Sequence, residues 1–189
     1  MLLWYNFCIF AENLYRLMKT RIIVFLGLVI LIFSACELNS VSNYKPEILF
    51  VQSPTTTKGD TLKLLYTDQG GVYKMDTIEV GDTVNFRMYI NAYANNIYSF
   101  SITQSTDSVT NIILPSVNSM DSAFLSSSNY ERGEFYLKNN VNTLYFPFKY
   151  VAIKPSNETK LILNVVSDAN FEYNQTKIQL NAIIRDRKK

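Results

Sequence analysis

Chemistry in this chain has to be done without histidine. That absence removes Ser-His-Asp and Cys-His catalysis, imidazole general bases and His-ligated zinc together, because each needs a nitrogen that titrates or ligates near neutral pH. No glycine-rich phosphate loop and no paired cysteines of a zinc ribbon occur either. Carboxylates, hydroxyls, aromatic rings and two cysteines, Cys8 and Cys36, remain. Glu131 with Glu134, and Asp76 with Glu79, are close enough in sequence for paired acid/base work, but both pairs flank turns, where solvated charge is the ordinary outcome. The 13 tyrosines and 12 phenylalanines offer flat rings that stack on sugar faces. Alternating strands would present Tyr89, Tyr93, Tyr98, Tyr136 and Tyr145 outward, although such residues are also plain strand formers. No catalytic residue, metal site or cofactor is expected.

Hydroxyls show the one repeated pattern. Five aspartates each precede Ser or Thr and then an apolar residue: Asp60-Thr61-Leu62, Asp76-Thr77-Ile78, Asp82-Thr83-Val84, Asp107-Ser108-Val109 and Asp121-Ser122-Ala123. Asp closes turns and Thr beside Val or Ile opens strands, so an all-β chain makes such triplets for structural reasons alone.

These residues are sorted by the stretch Met18 to Cys36, MKTRIIVFLGLVILIFSAC. Lys19 and Arg21 are followed by an apolar run from Ile22 to Phe33, broken only by Gly27, and then by Ser34-Ala35 before Cys36. Twelve residues at about 1.5 Å each span roughly 18 Å, short of the roughly 30 Å hydrocarbon core. The pattern reads as a signal peptide over 18–35. Small residues directly before a cysteine resemble the lipobox of bacterial lipoproteins, in its loose Bacteroidetes form since Phe33 stands where Leu is usual. The resemblance implies a thiol lipidated at Cys36 and a mature chain that starts there, anchored to the outer membrane and facing the periplasm or the cell surface. Residues 1–17 carry no such pattern and read as a mis-called upstream start. Residues 36–45 are a polar tether and 46–189 the folded domain.

From Cys36 onward there are 15 Lys and Arg against 15 Asp and Glu. A near-neutral chain carries no electrostatic footprint for nucleic acid. About 150 residues suffice for one core, and a single cysteine leaves that core to packing alone.

Period-two alternation and turn residues divide the domain into strands at Glu47–Gln52, Thr61–Tyr66, Gly71–Thr77, Thr77–Tyr93, Ile97–Thr103, Asn111–Leu114, Glu134–Lys138, Thr143–Ile153, Lys160–Ser167 and Lys177–Arg185. Val84, Phe86, Met88 and Ile90 share one face opposite Asn85, Arg87, Tyr89 and Asn91. Tyr98, Phe100 and Ile102 oppose Ser99, Ser101 and Thr103. Gly70-Gly71 marks a hairpin turn, Pro147 an edge or a bulge, and 116–129 has no readable pattern. No helix of ten residues fits after Cys36.

Short alternating strands with regular turn signals predict an all-β, antiparallel β-sandwich, preceded by an N-terminal signal/anchor helix. Phe146, Phe148 and Tyr150, then Leu161, Leu163 and Val165, then Ile178, Leu180, Ala182 and Ile184 resemble the closing strands of bacterial immunoglobulin-like modules. The combined expectation is a non-catalytic, lipid-anchored cell-envelope module for interaction or assembly. Its partner would be a protein or a glycan; the alternatives are a glycan-binding lipoprotein of a nutrient-uptake system and a fimbrial-type subunit. The Asp-Ser/Thr triplets resemble the O-glycosylation motif of exported Bacteroidetes proteins, which implies acceptors at Thr61, Thr77, Thr83, Ser108 and Ser122.

Overall fold

A computed structural model describes residues 44–67, 70–105, 108–116, 122–169 and 174–187. The expected upstream start, signal peptide, lipid-bearing Cys36 and most of the tether lie outside the described residues. Twelve strands and no helix are found among those described. One sheet runs β1 (Glu47–Phe50), β6 (Thr83–Asn91), β10 (Thr143–Ala152), β8 (Thr110–Ile113), with β2 (Thr55–Thr56) also beside β6. The other runs β3 (Leu64–Thr67), β4 (Val72–Met75), β12 (Gln175–Arg185), β11 (Ser156–Ser167), β7 (Ile97–Gln104), β9 (Glu134–Tyr136), with β5 (Ile78–Glu79) also beside β12.

Lettering β1, β6, β7, β8, β10, β11 and β12 as A to G makes the sheet orders A-B-E-D and G-F-C. That is the immunoglobulin-like sandwich arrangement, so the expected fold class holds. The pairing is not purely antiparallel: β4 and β5 run parallel to β12. The cause is the β3–β4 hairpin, inserted between the first two strands of the sandwich, which leaves the first sheet to extend the second.

Alternation explains why these residues form these strands. In β6 the inward Val84, Phe86, Met88 and Ile90 are fully buried, while Arg87 is exposed. Opposite them across the core, β12 buries Ile178, Leu180, Ala182 and Ile184, and β11 buries Leu161, Leu163 and Val165. In β7 the expected face is corrected at one residue. Val166 pairs with Ser99 and Ser167 with Ile97, so the ladder skips Tyr98. This bulge turns Tyr98 outward and Ile97 inward.

Pro147 sits in an unbroken register opposite Arg87. The Val51 N–H donates to the Arg87 carbonyl at 2.9 Å, so Arg87 turns its backbone groups toward β1 and Pro147 turns its nitrogen away from β6. On that far side β8 pairs with β10 only from Lys149 to Ala152. The missing N–H therefore falls on a locally free edge, which is where proline is tolerated. Gly70 and Gly71 make the predicted turn with φ of 42° and 83°; a Cβ on Gly71 would also strike the Lys177 carbonyl of β12. Of the segment without a pattern, the described part carries Phe124, which is buried and bridges to Leu137.

One end of the sandwich is closed by Asp82, a buried carboxylate. Its Oδ1 lies 2.7 Å from Lys58 Nζ and 3.3 Å from an Arg187 guanidinium nitrogen, and its Oδ2 accepts the Glu79 N–H at 2.9 Å. Burial pushes the Asp82 carboxyl up, but the Lys58 hydrogen bond and the Glu79 N–H outweigh it, and the carboxyl sits below its ordinary value.

Two predictions follow from packing and charge. Phe86→Ala should cost about 3 to 5 kcal/mol, and Arg87→Ala on the opposite face should stay within about 0.5 kcal/mol, measured by urea unfolding; equal effects would contradict the register. A carboxyl depressed in the folded state stabilises fully above its unfolded value near 3.9, and that stability disappears as pH falls through the lower folded value. Asp82→Asn should therefore cost about 1 to 3 kcal/mol at pH 7. The gap between the two proteins should narrow steadily below about pH 4, and a pH-independent gap would contradict the ionised role.

Candidate functional site

Strand register places an aromatic row across the outer face of the five-stranded sheet. Leu49 of β1, Tyr89 of β6 and Tyr145 of β10 are directly opposite one another. Leu49 and Tyr145 are exposed and Tyr89 is half-buried. Glu47, Asn91 and Thr143 form the next row toward one end of the sheet. On the other side Arg87 and Pro147 border a depression of about 430 Å³, together with Asn85, Lys149 and Ile113. Apolar and ring surface thus alternates with amide, carboxylate and guanidinium groups across this face.

Beyond the Glu47 row stands Tyr93, a non-glycine residue with φ of 60°. An aromatic residue seldom adopts this left-handed conformation unless its surroundings hold it there. Three contacts do so. The Tyr93 N–H donates to Asn91 Oδ1 at 2.8 Å, its carbonyl accepts from Asn142 at 3.3 Å, and its hydroxyl donates to Glu47 Oε2 at 2.7 Å. The Glu47 hydrogen bond, with some burial, raises the Tyr93 hydroxyl above its ordinary value. The ring lies 5.4 Å from that of Tyr44, which is 70% exposed.

The five tyrosines expected to point outward are thus divided. Tyr89 and Tyr145 belong to one sheet, and Tyr93 stands in the turn that follows its strand β6. Tyr98 and Tyr136 belong to the other, where their rings meet edge-on at 6.2 Å. Tyr44 and Leu49 complete the first group, and sequence reasoning did not single them out. The only signal for them was their position, one just before the first strand and one on its outward face.

The carboxylates go separate ways. Asp76 Oδ2 accepts the Lys63 N–H at 2.8 Å, while Glu79 lies 3.5 Å from Lys58 and 3.7 Å from Arg187, so this pair holds turns and ions in place. Glu131 and Glu134 border a recess of about 480 Å³ between β7, β8 and the turn before β9, with Arg132 between them in sequence.

Of the acceptor residues in the five triplets, Thr61, Thr77, Ser108 and Ser122 are exposed in turns or loops. Thr83 differs, being half-buried as the first residue of β6, with its carbonyl accepting the Thr57 N–H at 2.9 Å. Among the leading aspartates, Asp76 and Asp82 each accept a backbone N–H, and the Asp60 N–H donates to Thr56 Oγ1 at 3.1 Å. Asp107 and Asp121 lie outside the described residues, as does Cys36.

No protein family and no characterised protein is matched by the sequence. Among solved structures, the chain is similar to a part of native alpha-2-macroglobulin from Escherichia coli running from its MG7 domain to the C-terminus. That likeness has 12% identity and a TM-score of 0.41 over 77% of this chain and 24% of that one. It is also similar to a PapD-like domain of human CEP192, at 8% identity and a TM-score of 0.33, over 67% of this chain and 87% of the other. A family 123 glycoside hydrolase from Clostridium perfringens gives 11% identity and a TM-score of 0.36, over 76% of this chain and 28% of that one. The chain thus spans about a quarter of the length of the macroglobulin fragment, and its fold class rests on its own strand order.

Proposed function

We propose that this chain is a non-catalytic, lipid-anchored interaction module of a bacterial cell envelope, of the Bacteroidetes lipoprotein type. The observation that carries the reading is the outer face of the five-stranded sheet, where Leu49, Tyr89 and Tyr145 lie in one row between Asn91 and Arg87. An exposed sheet face of rings and hydrogen-bonding groups suits contact with another large surface better than enclosure of a small substrate. The commitment of Asp76 and Glu79 to structural partners favours binding over acid/base chemistry in the same way. The second reading, a glycan-binding lipoprotein of a nutrient-uptake system, draws on the same row, because tyrosine rings stack on sugar faces and amide and guanidinium groups bond hydroxyls. A fimbrial-type subunit is the third.

The anchor is tested at Cys36. The cysteine thiol is the acceptor of the acyl anchor in this reading, so Cys36→Ala should abolish incorporation of labelled palmitate into the protein. A variant that still takes up the label, or a native chain that takes up none, would overturn the lipoprotein reading, and protease shaving of whole cells separates a surface-facing from a periplasmic domain.

O-glycosylation is proposed at Thr61, Thr77, Thr83, Ser108 and Ser122. Four of these hydroxyls are exposed where a bulky hydrophilic group stays in solvent. Protein purified from its native host should exceed the mass of the acylated polypeptide, and the excess should vanish when the five are replaced by Ala. A mass equal to the acylated polypeptide alone would rule the modification out.

A further inference from the structure

We infer that the domain pairs with a second copy of itself through the free edge of β3, joining the two larger sheets across a two-fold axis. This rests on the reading of the chain as an interaction module and names its partner.

The edge is identified by following the backbone groups. Asp76 N–H donates to the Lys63 carbonyl, so Lys63 faces β4. Alternation then turns Leu65 and Thr67 toward β4 as well, and turns Leu64 and Tyr66 outward. The β4 side agrees, since the Gly71 carbonyl accepts from Gln179 of β12 and puts the odd-numbered residues of β4 on that side. β3 is the last strand of its sheet. The N–H and C=O of Leu64 and Tyr66 therefore point away from β4, with no strand beside them among the described residues. The Leu62 N–H, one step earlier on the same edge, is taken by the Pro54 carbonyl.

Free edges are ordinarily protected by a charge, a proline or a bulge. Leu64-Leu65-Tyr66-Thr67 has none of these, and its pairing with β4 is regular. Leu65 and Tyr66, on opposite faces of the strand, are each 58% exposed.

The occupant follows from symmetry and charge. With a two-fold axis through Leu65, Leu64 of one copy lies opposite Tyr66 of the other, and both pairs are of the hydrogen-bonded kind. Every one of the free N–H and C=O groups is then used. An axis through Leu64 would instead set Tyr66 opposite Leu62, whose N–H is already taken by Pro54. The two Leu65 side chains meet on the outer face, and each Tyr66 covers the Leu64 opposite on the other. Equal numbers of basic and acidic residues from Cys36 onward mean that two copies approach without net repulsion. Four backbone hydrogen bonds make a weak contact in free solution. Copies held on one membrane gain the effective concentration that makes such a contact productive.

The test is cross-linking in the native membrane of the full chain carrying Cys8→Ser, where the Cys36 thiol is taken up by the lipid and a chain without an added cysteine gives the background. Leu65→Cys places two sulfurs across a non-hydrogen-bonded pair, whose Cα separation of about 4.5 Å lies within disulfide range. Tyr66→Cys faces a leucine instead. Under mild oxidation, Leu65→Cys should form a covalent dimer at least tenfold faster than Tyr66→Cys. Adding Tyr66→Pro to Leu65→Cys removes an outward N–H that the domain itself does not use. Against Tyr66→Ala, which loses the same ring contact with Tyr73 at 5.2 Å but keeps the N–H, it should slow cross-linking at least tenfold while far-UV circular dichroism stays unchanged. No dimer from Leu65→Cys, equal rates for the two cysteines, or indifference to a folded Tyr66→Pro variant would each overturn the inference. Acylation at Cys36 does not involve β3, so failure here and failure of the anchored-module reading are told apart.

Discussion

The two sheets are held together around Phe146. Its ring meets Phe100 at 5.0 Å, Phe135 at 5.3 Å, Phe148 at 6.3 Å and Phe124 at 6.5 Å, and so joins β10 of one sheet to β7 and β9 of the other. Phe86 stacks on Phe148 at 4.8 Å and extends the cluster along the first sheet. Domains of this architecture in antibodies pin the sheets with a disulfide and a tryptophan. With Cys36 as its single cysteine from that point on, this domain relies on ring packing and on aliphatic layers from β11 and β12. Such a core tolerates little register error, because a one-residue slip in any strand turns its whole inward set to solvent.

That constraint explains where irregularities are permitted. The bulge that skips Tyr98 falls at the start of β7, beyond the last inward aromatic residue of that strand, Phe100. The shift between Ser156 and Thr159 falls at the beginning of β11, before Leu161. Pro147 lies inside a central strand but points its nitrogen at a free edge. If the β8–β10 register is continued two residues, Pro115 comes opposite Pro147, and both border the same depression. Two prolines facing each other end the ladder where β8 stops.

Charge is used sparingly and at one end. Asp82 gathers Lys58 from the loop after β2, the Glu79 backbone from β5 and Arg187 from the segment after β12. Neighbouring backbone bonds run from Val80 to Arg185 and from Gly81 to Ala152. Three separate parts of the chain are thereby tied to the entry of β6, the strand with the most deeply buried side chains. The opposite end, which carries Tyr44, Tyr93 and Asp168 bonded to Asn96 at 2.7 Å and 2.8 Å, is left to polar loops and exposed rings. Structural charge and the candidate contact surface are therefore separated along the sandwich.

Strand positions and buried faces were legible in the sequence because a period of two over seven or more residues, as in Thr83–Asn91 or Thr143–Ala152, has one physical solution when a single face must be buried. The Gly70-Gly71 hairpin was legible because only glycine takes both positive φ values cheaply. Short pieces were not. Thr55–Thr56 and Ile78–Glu79 have too few residues to show any period, and they are strands only because β6 and β12 lie beside them. The face of Tyr98 was decided by a partner strand distant in sequence, which no local pattern encodes. The division of the tyrosines between two outer faces, and the meeting of Leu49, Tyr89 and Tyr145 in one row, are likewise products of pairing between β1, β6 and β10. Alternation determines which side of its strand a residue occupies, but only the order of strands in the sheet determines which residues it stands beside.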